Sequence, residues 1–395
     1  MNVWNPSNFT VLLIFLLLCF VPTNIYFVDG IDSISLLIIT PLLLLLAIIK
    51  LSCYLKNNEI KLYFIWFLWV AFTCVTAIRP NLAFQNLKTI AGGVMMSLIY
   101  YLFSHKEKLL PYLYAVFIVI LMAELYYVSA AFDVIDLGVD IRANDEKLNA
   151  NTIAYMCFYS ICSVYYIGDL VKNKSIARLL KMSFFAMIPV VIYVSFITAS
   201  RQVLPTSLAV WVFLFYQRYL KGSRKSINTL FIIIVVSIAA VVLYDKVFQS
   251  LYSGSMLALR TEETDATDTR FLIIKEALRV SSDYLIFGVG SGNFVHMNQY
   301  HIFTHNSYLE MLVSSGILGL ILYVAVIYKF LKNQMLRYRA TRDSAFITFF
   351  AVGVLWSIYN FLYVFYVGVY LMPFLFLMMG HSDYLYRKYL SMSYI

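Results

Sequence analysis

The sequence predicts an all-α, polytopic membrane protein, and three observations carry that prediction. Of its 395 residues, 62% are hydrophobic and 13% are charged, a charged share about half that of an average soluble domain. Apolar runs of about 20 residues recur from end to end, and as helices they are long enough to cross a hydrocarbon core of about 30 Å. The short loops between these runs alternate between rich and poor in basic residues. A soluble chain of this length would need a polar surface, and too few polar residues are present to make one. The formal net charge of +9 does not point to nucleic acid, because the basic residues are spread over short loops where membrane topology accounts for them.

The runs place helices near residues 9–28, 33–55, 62–78, 88–104, 109–131, 151–168, 182–199, 203–219, 227–244, 306–331, 343–360 and 364–380, about twelve transmembrane helices in all. The division of Ala345–Gly380 into the last two is the least defined by the pattern. The first run has no Lys or Arg in Met1–Ser7 and no small-residue cleavage site after it, so it reads as a retained helix and not as a secretory leader. Cys19, Cys53, Cys74, Cys157 and Cys162 all fall in or beside apolar runs. Their spacing matches neither a zinc site nor a disulfide framework.

Twenty of the thirty basic residues fall in one alternating set of loops, around Lys50–Lys61, Lys106–Lys108, Lys172–Lys181, Arg218–Lys225, Lys329–Arg342 and Arg387–Lys388. The positive-inside rule makes that side cytoplasmic, with both termini inside. The chain then reads as a single membrane domain, 1–395, whose one large extracytoplasmic loop spans 245–305. The remaining ten basic residues face outward or sit near the outer boundary, where the rule expects few. An anionic ligand on that face would account for them.

Four outward segments carry the candidate chemistry. The loop 132–150 contains Arg142 and leads into Asn149-Ala150-Asn151-Thr152, where Asn151 is a plausible helix N-cap. Ser200-Arg201 forms a very short turn between two apolar runs, and Pro205 beyond it should bend the next helix. An Arg at that depth snorkels, pairs or lines a wet cavity. In the large loop, Phe271, Ile274 and Leu278 repeat at helical spacing between Arg270 and Arg279, as in a short amphipathic helix lying on the membrane or on the helix bundle. Phe287-Gly288-Val289-Gly290-Ser291-Gly292-Asn293 then forms a tight glycine turn whose amides could hold phosphate oxygens. The same string lacks the strand and helix that a dinucleotide fingerprint needs, so a plain turn is the simpler reading.

The fourth segment is Thr304-His305-Asn306-Ser307-Tyr308-Leu309-Glu310. Ser307 and Glu310 have the S-x-x-E spacing of a capping box, so a helix should start here and run inward. His305 would lie just beyond its positive end, which favours a neutral imidazole and attracts an anion, as a general base beside a pyrophosphate requires. A surface histidine with no role is the plain alternative. His296, His301 and His305 are spaced five and four apart and do not share one helical face, so no metal site is expected. Ser315 and Gly319 form a small-xxx-small face suited to close helix packing.

Taken in order, these segments resemble the superfamily of O-antigen polymerases and O-antigen ligases. The resemblance rests on the Ser200-Arg201 turn, the Arg270 helix leading to the glycine turn, and His305–Glu310 followed by Ser315–Gly319; Asn149–Ala154 resembles an upstream element. It covers about residues 142–330, and outside that range only hydrophobicity agrees.

The resemblance implies a GT-C-like glycosyltransferase in the bacterial inner membrane, with its active site on the periplasmic side. The donor and acceptor would be glycans on undecaprenyl pyrophosphate, with a chain-length regulator and a flippase as further partners and no cofactor. His305 would activate the acceptor hydroxyl, and Arg201 and Arg270 would bind the donor pyrophosphate. Arg142, Asn151, Arg279, Gly290, Asn306, Tyr308 and Glu310 are further candidate substrate contacts. Within the superfamily, His305–Gly319 looks more like polymerases, which extend a lipid-linked chain, than like ligases, which pass polymer to lipid A–core. A lipid-linked glycan transporter is the non-enzyme alternative, but it should show an internal repeat and several buried charges. Only Glu124 is clearly embedded in an apolar run.

Overall fold

The computed structural model describes residues 4–27, 35–131, 150–198, 203–220, 269–362, 364 and 371–393. Among these residues the chain is helical and contains no strand. The first six α-helices are α1 (Asn8–Phe27), α2 (Thr40–Leu51), α3 (Asn58–Val75), α4 (Pro80–Phe103), α5 (Leu110–Ala131) and α6 (Ala150–Leu170). They are followed by α7 (Lys174–Thr198), α8 (Val203–Phe215), α9 (Thr269–Asp283), α10 (Ser307–Thr341), α11 (Ser344–Tyr359) and α12 (Leu371–Ser393). Among the described residues seven helical segments are long and apolar enough to cross a membrane, and α1 and α11 supply shorter apolar helices. The chain is an all-α, multi-pass membrane protein. Of the expected spans, 227–244 lies outside the described residues.

Helix ends follow local capping chemistry and not the limits of the apolar runs. The Asn57 side chain accepts from Glu59 N at 2.8 Å, which starts α3 four residues before its expected beginning. Asn173 accepts from Ser175 N and Ile176 N, and α7 therefore begins well ahead of residue 182. Helix α10 continues to Thr341 and ends where Arg342 turns left-handed, with φ of 58° and its N–H bonded to Tyr338 O. The last expected span, 364–380, is corrected to α12. The apolar signal stops at Gly380, but the helix runs on through Asp383 and Arg387 to Ser393. Gly380 is tolerated inside it because a side chain there would meet Ser104 Oγ and Tyr101 O on α4.

Two compact units emerge. One comprises residues 1–8, 33–109 and 265–395, and the other 9–32 and 110–264. In the second, α6 packs against α5 and α7 and is almost wholly buried along its length, with Cys157, Tyr159 and Cys162 inside. The cysteines are packing residues there, and all five are free thiols. Glu124 of α5 is also buried in this unit, where Tyr26 donates to it at 3.2 Å.

In the first unit α4 packs against α12, and α3 against α10. One end of this bundle holds a polar cluster. Asp383 accepts from Tyr101 at 2.7 Å and from Asn57 at 2.8 Å, and it is bonded to Arg337. His105 lies 3.9 Å from the same carboxylate and stacks on Tyr54. Burial lowers the His105 imidazole to about 4, against the opposing pull of Asp383. His305 sits just before the start of α10 and Arg337 near its end, with the break at Gly316 between them.

Candidate functional site

The first turn of α10 builds a rigid mount for His305. Asn306 is the N-cap, and its side-chain oxygen accepts from Tyr308 N at 2.9 Å and Leu309 N at 3.1 Å. The capping box expected from Ser307 and Glu310 is therefore shifted by one residue. Glu310 reaches back past the cap instead, and accepts from Thr304 N at 3.0 Å and from the Ser314 hydroxyl at 3.2 Å. It is fully buried, where a carboxyl group needs such donors. The Thr304 hydroxyl donates to Asn306 O at 2.9 Å, and Ser307 N donates to Asn360 O at 2.7 Å. The backbone is thus pinned on both sides of His305.

His305 itself has φ of 53°, and His301 has φ of 52°. For residues bearing a Cβ this region is sparsely populated, and such strain persists only where the surroundings impose it. Asn298 supplies part of that constraint, donating to Phe294 O at 2.7 Å and to Ile302 O at 3.0 Å. The His305 side chain is half-buried.

The glycine turn has a structural task. Helix α10 breaks at Gly316, with φ of 70° and ψ of −173°. Val313 O and Ser314 O accept instead from Val289 N at 2.8 Å and Gly290 N at 2.9 Å, while Ile317 N donates to Leu285 O at 2.8 Å. Backbone therefore meets backbone. A Cβ on Gly316 would stand 2.0 Å from Ile286 O, and one on Gly288 would stand 2.5 Å from Val313 O. The amides of Gly288, Val289, Gly290 and Asn293 are all donated within the chain, so these four N–H groups are not open to phosphate oxygens. Asn293 locks the turn to the α3–α4 connection by accepting from Arg79 N at 3.1 Å. Gly319 lies under Trp69, whose indole donates to Ser315 O at 2.8 Å, so the small face does pack closely on α3.

Helix α9 carries Arg270 in its first turn. Its buried face is Ile273, Ala277 and Val280, packed with Val289, Phe294 and Val313. The face read from sequence, Phe271, Ile274 and Leu278, is exposed. Arg279 is also exposed, and it pairs with Glu276 at 2.9 Å and with Asp283 at 3.9 Å. Tyr308 donates to Ser357 O at 2.9 Å. Arg142 and Arg201 lie outside the described residues, as do the side chains of Arg270 and Asn151; Asn151 falls in the first turn of α6, not at its cap. Among the described residues no cluster of His, Cys, Asp or Glu could hold a metal ion.

Because Ser307, Tyr308, Leu309 and Glu310 all donate their amides within the protein, α10 offers an anion its dipole but not its first-turn N–H groups. What remains is a histidine held in a fixed, strained pose at a positive helix end. Residues 182–324 match the O-antigen ligase family model. No curated protein matches the chain. The matched segment covers less than half of the chain, yet it includes α7 from residue 182 onward, α8, α9, the glycine turn, His305 and the kink of α10. The O-antigen ligase match supports the O-antigen polymerase and ligase superfamily, and with it a glycosyltransferase-like activity of polymerase or ligase type.

Proposed function

We propose that this protein polymerises undecaprenyl-pyrophosphate-linked oligosaccharide repeats into O-antigen or capsule polysaccharide at the outer face of a bacterial inner membrane. The observation that carries the reading is the mount of His305, whose backbone is pinned by Glu310, Thr304 and Asn360 in a left-handed conformation. That is an investment in one side chain's direction, as a general base needs. In the proposed step, His305 takes the proton of the acceptor hydroxyl as that oxygen attacks the anomeric carbon of the donor. The carbon–oxygen bond to the pyrophosphate breaks, and undecaprenyl pyrophosphate leaves with the electron pair. Arg270 and Arg201 stabilise the charge gathering on the leaving group. Guanidinium groups suit that task here because the helix amides are already used.

The ligase reading is the alternative that the O-antigen ligase match keeps in view. Reconstitution with a lipid-linked repeat unit separates the possibilities. A ladder of products is expected. Transfer only when lipid A–core is supplied would mean a ligase, and movement across the bilayer without bond formation would mean a transporter. In the same assay Arg270→Ala should raise the donor KM or lower turnover at least tenfold, with poor rescue by Lys, which lacks the planar fork. Unchanged donor kinetics would remove Arg270 from the site.

A further inference from the structure

Helix α9 has two apolar arcs and only one of them is covered. Ile273, Ala277 and Val280 pack into the first unit, whereas Phe271 is 63% and Leu278 54% exposed, with Ile274 beside them. The exposed arc continues into Leu285, Ile286 and Phe287, all exposed as well. Lys275, Glu276, Arg279 and Asp283 occupy the rest of the surface, with Arg279 paired to both acids.

The apolar strip joins a surface that already belongs to the bilayer. The Phe287 ring lies 5.8 Å from Trp69 and 6.1 Å from Phe72 on α3. Helix α3 is a candidate membrane span, and its Leu68, Phe72 and Val75 are exposed along this stretch. Phe72 and Trp69 stand three and six residues from the end of α3, so Phe287 meets the span about 5–9 Å below its end. An interfacial helix seats its apolar face about 5–10 Å into the headgroup and acyl boundary. Part of the backbone here is already satisfied within the protein, as groups in lipid must be. Tyr284 N donates to Val280 O, Gly288 N to Tyr284 O, and Ile317 N to Leu285 O.

We propose that α9 and residues 284–287 lie in the plane of the membrane, immersed in the phospholipid leaflet on the His305 side. Phe271, Ile274, Leu278 and Phe287 face the lipid. The balanced charges that border this strip leave apolar burial, not anionic headgroups, as the main attachment. Because Leu285 and Gly290 are stitched to the break in α10, this seat sets the height of the His305 mount above the acyl chains. It also holds the Arg270 turn at headgroup phosphate level. The placement stands whether or not the protein is a glycosyltransferase.

The test uses the full chain in nanodiscs of phosphatidylethanolamine and phosphatidylglycerol, in a Cys53→Ser background, since Cys53 is the exposed native thiol. Nitroxides are attached at Leu278→Cys, Phe271→Cys and, on the charged arc about 120–140° around the helix from them, Asp283→Cys. Power saturation then compares collisions with oxygen, which partitions into lipid, and with a neutral nickel chelate, which stays in water. The expected result is a severalfold preference for oxygen at positions 278 and 271 and the reverse at 283. Equal access of the nickel chelate to all three positions would place α9 in solvent and overturn the proposal. Shielding of 278 and 271 from both reagents would show protein covering them, and would overturn it equally.

Discussion

Glu310 and Asn306 divide the task of presenting His305, one bonding to the chain before it and the other capping the helix after it. Glu310→Gln keeps both bonds, since an amide oxygen can accept from Thr304 N and its nitrogen can donate to Ser314 Oγ. Turnover within about threefold of the parent is expected. Glu310→Ala leaves two buried donors unsatisfied, at about 1–3 kcal/mol each, and should lower kcat tenfold or more with KM little changed. A Gln variant as impaired as the Ala variant would show that charge, not the hydrogen bonds, is what His305 requires. From sequence, His305 and the helix start were both legible, because S-x-x-E before an apolar run is a strong local signal. The cap itself was misplaced by one residue because Asn306 caps at least as well as serine, and local spacing cannot decide between neighbours. Thr304 and Asn360 left no trace in the pattern, since their roles depend on where the chain returns.

The break in α10 and the glycine turn act as one element. Gly316→Ala adds a Cβ that would collide with Ile286 O in a backbone region costing about 1–3 kcal/mol for other residues. A marked fall in the thermal midpoint of the detergent-solubilised protein is expected, together with loss of activity. An unchanged midpoint would contradict the stitched geometry. The sequence announced a tight turn and a small-residue face, and both are present. It could not show that the turn's amides are spent on Val313 and Ser314, because hydrogen-bond partners across 24 residues follow from the fold and not from composition. Helix α9 was legible as amphipathic, but its packed face was not. Two apolar arcs fit the same period, and only the position of Val313 and Phe294 selects Ile273, Ala277 and Val280.

Across the molecule, hydropathy read the helices well because about 20 apolar residues are a physical requirement of a span. It failed at α12 and at the end of α10, where helices continue beyond the apolar run and are held by polar contacts. Arg337 and Asp383 are such a contact, and loop-charge counting had treated Arg337 only as a topology signal. The same cluster gives a pH dependence to stability. The folded state keeps His105 neutral down to about 4, whereas the unfolded chain takes up the proton below about 6.5. Stability from this group is therefore full above that pH and declines as pH falls toward 4, by on the order of 3 kcal/mol at 1.36 per unit. The thermal midpoint should drop more between pH 7.5 and pH 5 for the parent than for His105→Asn; equal drops would show that another group is responsible. On the proposed mechanism His305 removes the acceptor's proton. The most direct measurement is single-turnover bond formation by reconstituted His305→Ala with a lipid-linked repeat unit, after checking insertion and thermal midpoint. A folded variant slowed about 10²–10⁴-fold is expected of a lost general base; chain extension at the parent's rate would remove His305 from the chemistry.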